Sequence, residues 1–225
     1  MSVSSTPASS AATPFPPLHV DVLCAGFACH DLVFDVPRHP GPDEKARATA
    51  LLNCGGGLAS NAAVTAARLG CRTAFVGYVG ADVYGDLHMA EFHADGVITD
   101  WVVRGAEPTP LSAIIIKPDG QRTIVNYRGH SEGACAGRFD LTQLHAKSIL
   151  IDGHQFELAK ELAQYARANR APIVIDADAL RPPLPSWCNW SITWWRRSIL
   201  PRIIAVRAMP KPGWPSWPEL RPMWW

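Results

Sequence analysis

The sequence contains no uninterrupted apolar run of the roughly 20 residues that a membrane-spanning helix needs, so we predict no membrane segment. Residues 1–17 have neither a basic start nor an apolar stretch, which argues against a secretory signal, and their Ser, Ala and Pro content predicts a disordered leader. The net charge of +1 argues against a nucleic-acid partner. We therefore expect a cytoplasmic protein that binds neither membranes nor nucleic acids.

Close cysteine pairs are also absent, since no two of the six cysteines form a CxxC motif. Structural zinc sites take their ligands from such pairs, and small secreted scaffolds are denser in cysteine. His154 stands near Asp152, but no further ligand follows at ligand spacing, so we interpret it as a residue at a helix start. The sequence thus predicts reduced thiols and no metal site.

Glycine and aspartate almost disappear from the last part of the chain. After Gly153 the only glycine is Gly213, and no aspartate follows Asp178. Residues 181–225 instead hold nine of the 20 prolines and eight of the nine tryptophans, which excludes long helices and central strands. Seven of the 21 basic residues and one of the 20 acidic residues lie there, so this segment has a charge of +6 and the preceding 180 residues −5. We predict an irregular tail from residue 181.

Before residue 181, strand patterns alternate with helix patterns. Short apolar runs predict buried strands at residues 20–26, 72–79, 148–152 and 173–176. Periodic segments predict helices at residues 60–69, 82–94 and 156–169, the first beginning near Ser60 or Asn61 and ending at Gly70. This alternation predicts an α/β fold with a mainly parallel sheet. The β-rich residues 31–54 and a hairpin at residues 111–127 are interpreted as additions to that sheet.

The strongest local signal lies at residues 56–80, which read GGLASNAAVTAARLGCRTAFVGYVG. Two glycines allow the backbone to approach a ligand closely, and the start of the following helix would offer free N–H groups to a polar or anionic group. The motif is not a dinucleotide fingerprint, because GxGxxG is absent. Glycine-rich turns between strands and helices are also common without a ligand, so spacing alone leaves both interpretations open.

These residues nevertheless resemble a known family. The first signature of the ribokinase-type (pfkB) carbohydrate kinases resembles this segment at seven positions: Gly56, Gly57, Ala59, Asn61, Ala63, Gly70 and Gly80. Gly26 followed by Asp31 resembles the family's first strand, residues 120–127 the hairpin of ketohexokinase-like members, and residues 151–154 the next strand end. The resemblance covers residues 20–180 and extends to the ketohexokinase-like and sulfofructose-kinase-like subgroups. It implies a ribokinase-like three-layer α/β/α fold, incomplete at the C-terminus, with a small β lid from residues 31–54 and 111–127.

The resemblance also implies an activity, namely the transfer of the γ-phosphate of ATP to a sugar hydroxyl with Mg²⁺ as cofactor. It assigns sugar binding to Asp31, Gly56, Gly57 and Asn61, an approach to the phosphates to Arg122, and the edge of the active site to Asp152. Cys29 and Leu58 stand where many family members have polar sugar contacts. In the family the lid often packs against a second subunit, so a homodimer through the lid is expected.

Each of these side chains also has a purely structural interpretation. Asp31 could cap a turn, Asn61 could cap the helix, Arg122 could be a solvated charge of the hairpin, and Asp152 could cap the next helix.

The resemblance implies a later Asn-x-x-Glu segment for Mg²⁺, and a Gly-Ala-Gly-Asp loop that binds phosphate and supplies the catalytic base. Neither fits the glycine-poor and aspartate-poor sequence that follows Asp178. We therefore expect no catalytic base and no activity from this chain, whose kinase domain we interpret as C-terminally truncated or frameshifted, with residues 181–225 as a frameshifted tail or the result of an erroneous gene model. Two alternatives stay open: a sugar-binding protein without catalysis, and a nucleoside kinase of the same superfamily.

Overall fold

The computed structural model describes residues 15–176 and 193–195. In chain order these residues form β1 (Leu18–Gly26), β2 (Cys29–Asp35), β3 (Ala50–Gly56), α1 (Leu58–Arg68), β4 (Thr73–Gly80), α2 (Val83–Ala94), β5 (Val102–Gly105), β6 (Leu111–Ile116), β7 (Arg122–Tyr127), a 3₁₀ helix (Leu141–Gln143), β8 (Leu144–Asp152), α3 (Phe156–Asn169), β9 (Ile173–Asp176) and β10 (Thr193–Trp195).

The central sheet is parallel throughout, in the order β10-β9-β8-β1-β4-β5. Helices cover both of its faces. Successive residues of a strand point to opposite sides of the sheet, so each strand contributes to both helical layers. Leu23 of β1 belongs to the buried cluster that includes Leu158 and Leu162 of α3. Its neighbour Cys24 belongs to the cluster formed with α1 and α2, which includes Ala63 and Phe92. The predicted three-layer α/β/α fold is confirmed.

A second sheet has the order β3-β2-β6-β7, with β2 and β6 parallel and the two outer pairs antiparallel. We call it the lid sheet. Its strands come from the two segments that were predicted to lie outside the main sheet, at residues 31–54 and 111–127. The chain passes between the central sheet and the lid sheet at four places: residues 27–29, 55–58, 106–110 and 128–143.

Several element bounds differ from the sequence-based prediction. Gly55 and Gly56 belong to β3, and α1 begins at Leu58, two residues before the predicted start. β8 begins at Leu144 and not at residue 148, because its first half is partly exposed and lacks a continuous apolar pattern. The four-residue strand β5 was not predicted. Helix α3 and strand β9 have the predicted bounds.

The ends of the predicted domain also need correction. Phe15 and Pro16, assigned to the leader, contact the folded part: the Phe15 ring lies 4.8 Å from that of Phe139, and Trp101 donates a 2.7 Å hydrogen bond to the Pro16 carbonyl. Within the predicted irregular tail, β10 pairs with β9. The other residues of the predicted tail, and residues 1–14 of the leader, lie outside the described part. None of the described helices is long and apolar enough to cross a membrane.

Candidate sugar-binding site

Asp152, at the carboxyl end of β8, is the most heavily hydrogen-bonded carboxylate near the glycine-rich turn. It is 1% exposed and accepts three backbone N–H bonds: from Phe27 at 2.8 Å, from Ala59 at 3.1 Å and from His154 at 3.0 Å. Bonds of this type to a charged group contribute about 1.5–3 kcal/mol each. Asp152 therefore joins the β1–β2 connection, the first turn of α1 and the β8–α3 connection.

This arrangement changes what the start of α1 can bind. The N–H of Ala59 is bonded to Asp152, that of Ser60 to the Phe27 carbonyl at 3.3 Å, and that of Asn61 to the Gly57 carbonyl at 2.9 Å. A carboxylate of the chain itself thus lies at the positive end of the helix dipole. The expectation that this helix start offers free N–H groups to an anionic ligand is wrong for these three donors. The assignment of Asp152 to the edge of the active site stays a prediction.

Gly56 and Gly57 are glycines for two different reasons. A Cβ on Gly56 would lie 2.2 Å from the Asp31 carboxylate, so the missing side chain leaves room for Asp31. Gly57 has φ +106°, a conformation that L-residues rarely adopt, and a Cβ there would lie 2.4 Å from the Phe27 carbonyl oxygen. The turn therefore brings the Asp31 carboxylate and the start of α1 close to the same stretch of backbone.

Asp31 belongs to a row of polar side chains that crosses the lid sheet. Its register partners are Cys54 on β3 and Ser112 on β6, and Ser112 pairs in turn with Asn126 on β7. Asn126 donates to the Ser112 hydroxyl at 2.9 Å, which lies 3.5 Å from the Cys29 sulfur. Cys29 then donates to Asp31 Oδ1 at 3.2 Å. The row forms a continuous polar surface beside the glycine turn.

Cys29 acts in this row as a neutral donor. Burial and the neighbouring Asp31 carboxylate raise the pKa of its thiol well above the ordinary value, so the proton stays on the sulfur and orients Asp31. From the sequence alone, Cys29 is only a departure from the usual family residue. Its position two residues before Asp31 was not enough to predict the contact, because alternate residues of a strand share a face only while the strand is regular.

Asn61 lies on the first turn of α1 and its side chain is exposed. The helix is capped at Gly57 without any side-chain hydrogen bond, so the interpretation of Asn61 as a helix cap is wrong. Its amide makes no hydrogen bond to the described residues and borders a cavity of about 210 Å³ between α1, α2 and the end of β3. Asn61 is therefore free to contact a ligand beside the glycine turn.

Arg122 is not brought to this site. It pairs with Ile116, which pairs with Asp35, so it lies four residues along the lid sheet from the row of Asp31, about 13 Å away at strand spacing. Its side chain is exposed. The nearer arginine is Arg128, which donates to Asn126 at 2.8 Å and places its guanidinium 5.1 Å from the centre of the Phe27 ring.

Sequence reasoning missed Arg128 because it follows the hairpin motif. Once β7 is aligned with β6, however, the residues near the carboxyl end of β7 are the ones that approach the glycine turn.

The His154 ring stacks on the Phe27 ring at 4.5 Å, and its Nδ1 lies 3.3 Å from Asp152. Among the described residues no group of three or more His, Cys, Asp or Glu side chains could hold a metal ion.

The fold is of the ribokinase-like α/β type. Residues 20–185 match the pfkB family carbohydrate kinases, and the chain belongs to that family.

Among individual proteins, the chain is 26% identical over 173 residues to the ribokinase of Bacillus subtilis, covering 72% of this chain and 57% of that protein. It is 30% identical over 135 residues to the ketohexokinase of Mus musculus, covering 59% and 45%. The fold is similar to that of Arabidopsis thaliana ribokinase complexed with ribose and ATP, with a TM-score of 0.69 at 23% identity over 80% of this chain and 60% of that one. The chain thus spans about half the length of the curated relatives it matches.

Proposed function

We propose that this chain carries the sugar-binding part of an ATP- and Mg²⁺-dependent carbohydrate kinase, which transfers the γ-phosphate to a sugar hydroxyl. The observation that carries the proposal is the position of the Asp31 carboxylate, packed against Gly56, at a glycine turn whose following helix presents the Asn61 side-chain amide without a hydrogen-bond partner among the described residues. Family membership and the fold shared with ribokinases support the same assignment.

In this proposal the chain's own residues bind and orient the sugar. Asp31, with its proton-donating neighbour Cys29 on one oxygen, accepts hydrogen bonds from sugar hydroxyls through its remaining lone pairs. Asn61 both donates and accepts, and Gly57 contributes backbone. Cys29 stands where many family members have a polar sugar contact, and its thiol is already directed at Asp31. In this proposal, that difference affects which sugar the site binds.

ATP and Mg²⁺ enter the proposal through the family alone. The described residues do not fit a magnesium site, since no cluster of potential ligands is present among them, and the three α1 amides discussed above are already bonded within the chain. We assign Arg128, beside the Phe27 ring, and Arg122, farther along the lid sheet, to a phosphate or another anionic group of the substrates.

The proposal is tested by calorimetric titration of the chain with ribose, fructose, adenosine and inosine. We expect a sugar to bind, Asp31→Asn to weaken that binding at least about tenfold through loss of a charged acceptor, and Asp35→Asn to leave it unchanged. Asp35 is the matched control because it lies on the same strand and face but is exposed at the far end. Equal affinity in both variants, or no heat from any sugar, would contradict the proposal, and preference for a nucleoside would favour a nucleoside kinase.

We further propose that the chain as given binds sugar without turning over ATP. The supporting observation is the composition of residues 154–225, where one glycine is present and no aspartate follows Asp178, so that a Gly-Ala-Gly-Asp loop cannot form. Such a loop would supply the backbone donors and the base that phosphoryl transfer needs. Sugar-dependent release of ADP from ATP by the purified chain would contradict this proposal.

The expected homodimer through the lid sheet is also part of the proposal. One row of apolar side chains crosses all four lid strands in register, on the face that carries Asp31. It consists of Leu52, Val33, Ile114 and Ile124. Leu52 is 60% exposed and Ile124 47% exposed. A second copy of the chain that presents the same row would bury these side chains by two-fold symmetry.

A further inference from the structure

Helix α2 lies beside three of the four crossings between the central sheet and the lid sheet, and it forms a hydrogen bond with each of them. The first is the crossing at residues 27–29. His88 Nδ1 lies 3.0 Å from the carbonyl oxygen of Cys29, where the lid strand β2 begins. A carbonyl can only accept, so Nδ1 carries the proton and Nε2 accepts from the Ser60 hydroxyl at 2.9 Å. Burial lowers the pKa of His88 to about 4, which keeps this neutral form at pH 7.

The second crossing, at residues 55–58, is held by a carboxylate of the same helix. Gly55 donates its N–H to Glu91 Oε2 at 2.6 Å. Because alternate residues of β3 point to opposite faces, Glu91 and Asp31 approach the strand from opposite sides, one at Gly55 and the other at Gly56.

The third crossing, at residues 106–110, is held at the start of the helix. Asp82, the N-cap of α2, accepts from the Thr109 N–H and from the Thr109 hydroxyl, both at 2.7 Å. Thr109 is 1% exposed, and its hydroxyl oxygen also accepts from the Gly80 N–H at 2.9 Å.

The fourth crossing, at residues 128–143, is bonded to α3 and the turn before it, through Glu161 to Gly137 and through Gln155 to Ser131.

These bonds end very close to the residues assigned to sugar binding. Cys29 precedes Asp31 by two residues, Gly55 precedes Gly56 by one, and Ser60 precedes Asn61 by one. A shift of α2 relative to the lid would therefore move the Asp31 carboxylate and the Asn61 amide relative to each other. Positioning at this scale decides affinity and rate, because polar contacts depend steeply on geometry.

We propose that α2 sets the position of the lid sheet over the sugar site, with Asp82, His88 and Glu91 as positioning residues. None of the three is assigned a contact with the sugar. Each holds a crossing at the point where the chain enters or leaves the lid, so their joint removal would let the lid move while the central sheet stays folded. The part of this proposal that concerns sugar affinity rests on the proposed function.

The first test is amide hydrogen exchange of the full chain, with no sugar present. In Glu91→Ala and Thr109→Val we expect amides of β2, β3 and β6 to exchange about ten to a hundred times faster than in the wild type, while those of β1, β4 and β8 keep their rates. Glu91→Gln should restore most of the protection, because its amide oxygen can still accept from Gly55. Asp86→Ala is the matched control: it removes one carboxylate from the same helix, but its carboxylate is 74% exposed and pairs with Arg104.

The second test measures sugar affinity in the same variants, without denaturant and at a pH where each variant is folded. If the wild type binds a sugar, Glu91→Ala and Thr109→Val should raise the dissociation constant several-fold and Asp86→Ala should not. Equal acceleration of exchange in both sheets, an equal effect of Asp86→Ala, or unchanged affinity in the two lid variants would each overturn the proposal. If the wild type binds no sugar, the proposed function fails, and hydrogen exchange alone decides whether α2 holds the lid.

Discussion

Three buried polar side chains near the site differ in how many of their hydrogen-bonding atoms have partners. Asp152 accepts from three backbone amides, and both nitrogens of His88 are bonded. His30, which is fully buried against Tyr84 of α2, has no partner for either ring nitrogen among the described residues. An unmade buried hydrogen bond costs more than a made one contributes, so these residues respond differently to substitution.

The two histidines provide a direct comparison. We expect His30→Leu to leave the free energy of unfolding unchanged or to raise it by about 1 kcal/mol, because an unbonded polar ring is replaced by an apolar side chain. His88→Leu should lower it by about 2–4 kcal/mol, since the Cys29 carbonyl and the Ser60 hydroxyl lose their partner. Urea unfolding of both variants measures the difference. A large loss in His30→Leu would mean that the His30 ring makes a favourable interaction.

His88 also predicts a pH dependence of stability. Its pKa is lowered from 6.5 to about 4 by burial, so the unfolded chain takes up a proton near pH 6.5 and the folded chain only near pH 4. The stability it contributes is therefore complete above pH 6.5 and is lost as the pH falls towards 4, by roughly 2–3 kcal/mol between about pH 7.5 and about pH 4.5.

The control for this prediction is His88→Asn, which keeps a donor for the Cys29 carbonyl but does not titrate in that range. Urea unfolding at both pH values should show a smaller loss in the variant than in the wild type. The same loss in both proteins would assign the pH dependence to other groups.

At the scale of elements, the sequence predicted best where a pattern was both long and regular. Helix α3 carries a complete apolar stripe, and the hairpin of β6 and β7 has a strong turn sequence, so their bounds were predicted closely. The short strand β5 has too few residues for an alternating pattern. The start of α1 was placed late because its cap is Gly57, which has no side chain to indicate a cap, and because the carboxylate that accepts from the Ala59 N–H, Asp152, lies on a distant strand.

The candidate site was predictable in part for the same reason. Gly56, Gly57 and Asn61 lie in one contiguous motif, and Asp31, 25 residues earlier, follows the first predicted strand; its carboxylate packs against Gly56. Arg122 and Arg128 could not be placed in this way. Their distances from Asp31 depend on the register of the hairpin relative to β2, and the hairpin sequence alone does not determine that register. The bonds from α2 join residues 27 to 59 positions apart, and no local pattern could indicate them.

The glycine turn allows a test at this scale. We expect Gly57→Ala to lower the free energy of unfolding by about 2–4 kcal/mol, because the added Cβ would meet the Phe27 carbonyl in a backbone conformation unfavourable for alanine. Gly70→Ala, at the end of α1, has φ +88° but no atom within 4 Å of its Cβ position, so it should cost only about 1 kcal/mol. Thermal or urea unfolding compares the two. Equal losses would show that backbone conformation, and not the close approach at Phe27, requires glycine.

At the scale of the whole molecule, the site lies between two sheets that are each stabilised differently. The central sheet is covered by helices on both faces, whereas the lid sheet leaves large apolar side chains exposed: Leu51, Leu52, Ile124, Val125 and Tyr127. Exposed apolar patches of this kind are typical of interaction surfaces. The lid is therefore the part of the described chain that gains most from a partner.

We expect sedimentation equilibrium of the purified chain to show a dimer, and the double variant Leu52→Glu, Ile124→Glu to be monomeric, because two buried charges would be unpaired in the interface. Leu69→Glu is the control, since Leu69 is 79% exposed at the end of α1, away from the lid. A wild-type monomer, or a double variant that still dimerises, would contradict the assignment of the lid as the interface.

The three bonds of Asp152 also impose an order on the biogenesis of the site. Two of its donors, Phe27 and Ala59, precede it by 125 and 93 residues, so the turn that carries Gly56 and Gly57 cannot adopt its final form while the chain is shorter than 152 residues. During synthesis on the ribosome, the glycine turn must therefore wait for β8 to emerge and insert beside β1.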